Sequence, residues 1–112
     1  MRIAIPVANG KLAAHFGHCQ HFALIDVDDE SKNVGKSSLV EAPDHSPGLL
    51  PRWLAERQVN LVISGGMGMR AQELFKASGI DVKVGAPVDS PENLVASYIN
   101  DSLVTGDNLC DH

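Results

Sequence analysis

The chain has 112 residues, which suits a single domain, and a formal net charge of −5. Residues 1–84 hold nine acidic and nine basic side chains, whereas residues 85–112 hold five acidic side chains and neither Lys nor Arg. Because the chain has no basic stripe and no apolar run that approaches the roughly 20 residues of a membrane span, we expect a cytoplasmic protein whose partners include neither nucleic acid nor a membrane.

Three strands are predicted in the first third of the chain. Residues 2–8 show no polar alternation, which is typical of a central strand covered on both faces. Residues 21–28 form a second strand, and the polar residues 28–33 predict a hairpin turn. Residues 34–41 then return as a third strand, whose polar character places it at the edge of the sheet.

Helices and strands alternate in the rest of the chain. The apolar spacing predicts helices from residue 49 to about 58, over 68–78 and from residue 91 to about 101, with strands over 60–63 and 80–84. The start of the third helix is marked by the order Ser90-Pro91-Glu92, an N-cap followed by an N1 proline and an acidic first turn.

The element order predicts the sheet. A βββαβαβα chain with right-handed crossovers gives a three-layer α/β fold of the ribonuclease-H-like type, with five strands in the order 3-2-1-4-5 and strand 2 antiparallel to the rest. This domain would span residues 1–101, followed by an acidic tail over residues 102–112. Strands 1 and 4 would flank a topological switch point, where open α/β sheets bind ligands beyond the carboxyl ends of the strands.

The loop after strand 1 carries side chains that bind metals. It contains the run His15-Phe16-Gly17-His18-Cys19. Imidazole and thiolate are preferred ligands of zinc, copper and iron–sulfur centres, although this spacing fits no standard zinc module. Exposed or hydrogen-bonded histidines and a buried, inert thiol are equally open interpretations.

The loop after strand 4 is rich in glycine. It reads Ser64-Gly65-Gly66-Met67-Gly68-Met69-Arg70 and leads into a helix. Glycine lets a ligand approach the backbone closely, a helix N-terminus offers unpaired N–H groups, and Arg70 adds a fixed cation, so the loop suits an anion. A turn that only lets the helix pack on the strand is the alternative. If the two loops meet, they form a pocket for an anion that contains metal.

The end of the chain offers a second possible metal site. Cys110 and His112 form a Cys-x-His pair that could chelate a transition metal, with a functionless tail as the alternative. Enzyme classes find little support, because strand 1 has no carboxylate for a two-metal nuclease and Cys19 has no recognisable orienting residue for a hydrolase.

Taken together, these segments of the chain resemble the dinitrogenase iron–molybdenum-cofactor biosynthesis family. This family includes small stand-alone proteins, nitrogenase cofactor carriers and the orange protein with its molybdenum–copper cluster. The resemblance covers essentially the whole chain. The matching segments are His15-Phe16-Gly17, residues 22–28, residues 65–80 and residues 108–112.

The resemblance implies a ribonuclease-H-like fold and a non-catalytic carrier of an anionic metal–sulfur cluster, held between the loops after strands 1 and 4. The cargo would be a molybdenum–copper sulfide cluster or a related molybdenum or iron–sulfur cluster, and the partners would be a protein that delivers or accepts the cluster, or an ATPase. The expected cofactor contacts are Lys11, His15, Phe16, Gly17, His18, Cys19, Ser64, Gly65, Gly66, Met67, Gly68, Met69 and Arg70, and the expected metal ligands are His15, His18, Cys19, Cys110 and His112.

Two other functions stay open on the sequence. The first is a regulatory module without a metal, which binds a protein partner through the acidic third helix and tail. The second is a mononuclear metal binder that uses Cys110 and His112.

Overall fold

The computed structural model describes residues 1–13, 19–28, 30–43 and 48–103. Within these ranges the chain forms one mixed sheet of six strands with three helices packed on it. The elements are β1 (Arg2–Ala8), β2 (Lys11–Leu12), β3 (His21–Val27), β4 (Val34–Glu41), α1 (Leu49–Glu56), β5 (Leu61–Ile63), α2 (Met69–Ala77), β6 (Asp81–Lys83) and α3 (Pro91–Ile99).

The central strand is β1, as its unbroken apolar pattern predicted, and Ile3 to Val7 are all buried. It pairs antiparallel with β3 and parallel with β5, where Ile3 lies opposite Leu61. The strands follow the order β4-β3-β1-β5-β6, and β2 pairs with β1 off this path. The polar strand β4 lies at one edge, and the carboxyl ends of β1, β5 and β6 all meet at one end of the sheet because these strands are parallel.

The sequence prediction of five strands was wrong by one, because β2 is an additional short strand. Lys11–Leu12 fold back antiparallel onto Val7 and Ala8. The turn between them is Asn9-Gly10, and both of its residues have positive φ angles, 56° and 80°. An Asn-Gly dipeptide is a strong local signal for a two-residue hairpin, but two residues are too few to show a strand periodicity.

The two faces of the sheet are covered by different helices. On one face, Ile5 packs in a buried cluster with Leu94 of α3. On the other, Ala4 belongs to a buried cluster that includes Leu54 of α1 and Phe75 of α2. Burying a side chain of the size of Ile, Leu or Phe stabilises the fold by roughly 1.5–3 kcal/mol relative to leaving it exposed. The protein is therefore a three-layer α/β domain, with α3 on one side and α1 and α2 on the other.

The helix boundaries follow local signals. Ser78 caps the C-terminus of α2, and Gly79 follows at a φ of 79°, where glycine carries no steric cost. Helix α3 ends at Ile99, two residues before the predicted end near residue 101, and Asp101 beyond it adopts a positive φ of 55°. No helix in the described ranges is long and apolar enough to cross a membrane.

The amino ends of the parallel strands are held by an arginine network. Arg2 forms a two-pronged ion pair with Asp26 of β3, with Nε 2.7 Å from Oδ1 and Nη2 3.3 Å from Oδ2. Its Nη1 also donates to the carbonyl oxygen of Arg57 at 2.8 Å. These bonds join β1, β3 and the end of α1 at the rim opposite the predicted binding loops.

The single tryptophan of the chain links α1 to β3. The rings of Trp53 and Phe22 lie 5.7 Å apart between centroids. The guanidinium carbon of Arg57 lies 3.8 Å from the centroid of the Trp53 ring, a cation–π contact. The indole thereby contacts both an aromatic ring and a cation.

Candidate functional site

The glycine-rich loop joins β5 to α2 at the carboxyl end of the sheet. Ser64 to Met67 are buried, whereas Met69 and Arg70 are exposed in the first turn of α2. Met67 belongs to the buried cluster on the α1–α2 face of the sheet. The inner half of the loop is thus part of the core, and the outer half faces solvent.

The loop after β6 is bonded to the glycine-rich loop, a contact that the sequence did not predict. Gly85 N–H donates to the Gly65 carbonyl at 2.7 Å, and Ala86 N–H donates to the Ser64 carbonyl at 3.0 Å. Gly85 has a φ of 78°. The sequence offered one signal for this contact. Gly85 directly follows the predicted strand 80–84, whose carboxyl end lies at the same end of the sheet as that of β5. Residues 84–88 therefore belong to the candidate site.

The N-terminus of α2 is open. Its N-cap is Gly68, which has no side chain to accept from the first N–H groups, and the first turn has no acidic residue. Arg70 lies in that first turn instead and makes no ion pair or hydrogen bond with any residue that the structure describes. The Gln72 side chain donates to the Met67 carbonyl at 2.9 Å and ties the loop to the helix. The positive end of the helix dipole and a basic side chain thus coincide at this end of the sheet.

The N-terminus of α3 is closed by contrast. The Ser90 side chain accepts from the Asn93 N–H, and the Asp89 carboxylate accepts from the Asn93 side chain and the Ser90 N–H. The pKa of Asp89 lies below its usual value, chiefly because of the hydrogen bond from Asn93 and next because of the hydrogen bond from Ser90. The positive charge of Lys11 lowers it further. The structure accordingly places Lys11, a predicted cofactor contact, close to the Asp89 carboxylate.

Of the predicted metal-binding loop after β1, the structure describes only the two ends. His15, Phe16, Gly17 and His18 lie outside the described residues. The residues on either side, Ala13 and Cys19, are both buried in the same cluster as Met67. Ala13 N–H donates to the Pro6 carbonyl and Gln20 N–H to the Val7 carbonyl, so the chain enters and leaves segment 14–18 at the carboxyl end of β1, on the same face of the sheet as Met67.

The buried Ser64 hydroxyl is a polar group without a hydrogen-bond partner among the described residues. Ser64 is 0% exposed. An unsatisfied buried hydroxyl costs about 1–3 kcal/mol, so such groups are uncommon and call for a physical reason.

The described part of the chain offers no group of three or more His, Cys, Asp or Glu side chains that could hold a metal ion. Cys110 and His112, the predicted ligands in the tail, lie outside the described residues. The donors present are backbone N–H groups, a guanidinium and apolar side chains, which suit an anion whose metals already carry their own ligands.

A cleft of about 430 Å³ lies on the α3 side of the sheet and is a competing location for a ligand. Val7, Gly10, His21, Leu39 and Glu92 are among its lining residues, and the described lining includes no Lys or Arg. Without a fixed cation and with the Glu92 carboxylate at its wall, this cleft suits an anion less well than the open end of α2 does.

Residues 1–101 match the sequence model of the family described as "Dinitrogenase iron-molybdenum cofactor". The chain is 29% identical over 89 residues to the protein MJ0580 of Methanocaldococcus jannaschii, which covers 73% of this chain and 72% of that protein. The crystal structure of PH0822 is similar with a TM-score of 0.85 and 29% identity, over 94% of both chains. The apo form of the orange protein from Desulfovibrio gigas has the same fold, with a TM-score of 0.70 and 20% identity over 96% of this chain and 93% of that one.

Proposed function

Since this chain belongs to the dinitrogenase iron–molybdenum cofactor family, we propose that it is a non-catalytic carrier that binds an anionic metal–sulfur cluster. The pocket would lie between the loops after β1 and β5. One observation carries this proposal: the uncapped, Arg70-bearing N-terminus of α2 and the flanks of segment 14–18, which bond to Pro6 and Val7 at the carboxyl end of β1, lie at the same end of the sheet.

The chemistry of the described residues fits such a cargo. A cluster that brings its own sulfide ligands is negatively charged, so it needs hydrogen-bond donors, a cation and apolar walls more than additional thiolates. The first turn of α2 supplies N–H groups and Arg70, and Met67, which is buried in the core cluster, would form an apolar floor beneath the loop. The hydroxyl of Ser64, which has no hydrogen-bond partner among the described residues, adds a further donor in the same loop.

The remaining predicted contacts form part of the proposal. Lys11, Cys19, Gly65, Gly66, Gly68 and Met69 would complete the pocket from the described part of the chain, together with His15, Phe16, Gly17 and His18. Met69 is 52% exposed, so it would contribute to the rim of the pocket. The cargo would be a molybdenum–copper sulfide cluster or a related molybdenum or iron–sulfur cluster.

The cellular setting follows from this role. We place the carrier in the cytoplasm, where a protein that delivers or accepts clusters would be its partner. We also assign the fold to the ribonuclease-H-like class, because the order β4-β3-β1-β5-β6 with an antiparallel β3 is the arrangement expected for it. The carrier domain would be residues 1–101.

The test is to incubate apoprotein with tetrathiomolybdate and Cu(I), desalt it and record the visible charge-transfer band. Arg70→Glu should retain at least about tenfold less chromophore, because it removes a cation and adds an anion at the helix N-terminus. Lys76→Glu is the matched control, since it makes the same charge change on an exposed residue in the last turn of α2.

Wild-type protein that elutes without a band would overturn the carrier proposal. Equal retention by Arg70→Glu and Lys76→Glu would remove Arg70 from the site while leaving the carrier role intact.

A further inference from the structure

The Ser64 hydroxyl lies on the side of the sheet that holds the candidate site. Side chains alternate along β5, with Ile63 in the cluster under α3 and Val62 in the cluster under α1 and α2. Ser64 continues this strand, since its N–H donates to the Lys83 carbonyl at 2.8 Å and its carbonyl accepts from Ala86. Its side chain therefore lies on the α1–α2 side, with Met67.

Both backbone groups of Ser64 are hydrogen-bonded, whereas its hydroxyl has no partner among the residues that the structure describes. The hydroxyl can donate one hydrogen bond and accept two, and it forms none within the part of the chain that the structure describes. An alanine would avoid this cost and would remove only one oxygen atom from the core. A buried polar group kept at such a position is explained when a bound ligand supplies the missing acceptor.

Ser64 begins the loop that ends at the N-terminus of α2, so the proposed anion would lie against the same loop. Gly65 and Gly66 follow Ser64 directly and are buried, but they carry no side chain that would keep a small terminal atom away from the backbone. The positive end of α2 and Arg70 attract an anion to the same loop. The acceptor that meets the hydroxyl is then a terminal sulfide or oxide of that anion.

We propose that Ser64 is a specificity-determining residue, whose buried hydroxyl donates a hydrogen bond to a terminal sulfide or oxide of the bound anion. This inference rests on the carrier function proposed above. It adds that the hydroxyl is energetically unfavourable in the empty protein and favourable in the loaded one.

The experiment compares Ser64→Ala with Ser90→Ala, which removes the hydroxyl that caps α3. The apoproteins are unfolded in urea, with Trp53 fluorescence as the signal, and the folded proteins are titrated with tetrathiomolybdate in the presence of Cu(I). Ser64→Ala should unfold at the same or a higher urea concentration than wild type and bind the probe about tenfold more weakly. Ser90→Ala should unfold at a lower urea concentration and bind the probe as wild type does.

Three results would overturn this inference. A Ser64→Ala apoprotein that is clearly less stable than wild type shows that the hydroxyl already has a partner. Equal binding by wild type and Ser64→Ala shows that the ligand does not use it, and in that case the carrier function stands. Wild-type protein that binds no probe overturns the carrier function and the role of Ser64 together.

Discussion

The amide nitrogen of Gly85 lies 2.7 Å from the carbonyl oxygen of Gly65. This bond joins the loops that follow β5 and β6, which are separate in sequence but adjacent at the carboxyl end of the sheet. The Gly65 carbonyl therefore points toward the loop after β6 and already accepts a hydrogen bond. The glycine-rich loop is therefore held in shape by its neighbour as well as by α2.

Gly85→Ala should destabilise the protein and weaken cluster retention. Gly85 has a φ of 78°, and a side chain in this left-handed region costs roughly 1–2 kcal/mol. The control is Gly79→Ala, whose φ is 79° and whose new Cβ would meet nothing within 4 Å. Urea unfolding should show similar losses of stability for both variants, while only Gly85→Ala loses retention. Parallel loss of retention in both would mean that stability, not the loop contact, limits binding.

Gly68→Asp should stabilise the apoprotein slightly but impair anion binding. The N-cap backbone is already extended, with φ −66° and ψ 155°, so an aspartate can cap α2 and raise the free energy of unfolding by about 0.3 kcal/mol. Its charge would occupy the positive end of the helix and repel the cargo. Gly68→Asn caps in the same way without charge and should retain more chromophore. Matching retention by the aspartate and asparagine variants would contradict an electrostatic role for this terminus.

Lowering the pH should remove the contribution of the Arg2–Asp26 ion pair to the free energy of unfolding. The hydrogen bond from Arg2 lowers the pKa of Asp26 below its ordinary value, so the stabilisation is present at neutral pH and is lost as the pH falls through the lowered pKa. Asp26→Asn should cost about 0.5 kcal/mol at neutral pH, a modest value because both side chains are partly exposed and screened by solvent. Urea unfolding of wild type and variant should converge once the pH falls below the lowered pKa of Asp26. A constant difference across this range would assign the effect to packing.

Truncation after Thr105 should leave cluster retention unchanged. The shortened chain lacks Cys110 and His112 but keeps β1, β5, β6 and the first turn of α2. Desalting after incubation with tetrathiomolybdate and Cu(I) measures retention directly. Loss of the band on truncation, with wild-type unfolding behaviour, would favour a metal site in the tail over the pocket at the ends of the strands.

Much of the architecture could be predicted because it depends on local patterns. The unbroken apolar run of β1 specified a central strand, the Ser90-Pro91-Glu92 sequence specified the start of α3, and the resemblance to the family was confirmed by the match over residues 1–101. Strand β2 was missed because its stability comes from pairing with β1 and not from its own two residues.

The candidate site was harder to predict, since its contacts join distant segments. Nothing local to Gly85 shows that its N–H will meet the Gly65 carbonyl, because this bond depends on the parallel pairing of β5 and β6. The polarity of Ser64 gave no sign that its hydroxyl would be buried without a partner among the described residues. The contacts predicted for His15 and His18 remain predictions.

The position of the single tryptophan has a practical consequence. Trp53 contacts both Phe22 and Arg57, and Phe22 lies opposite Pro6 near the end of β1 that leads toward the candidate site. A coloured cargo at that site would accept resonance energy from the indole, and the emission would dim as the chromophore enters. The protein thus contains its own unlabelled donor for following the loading and release of such a cluster in real time.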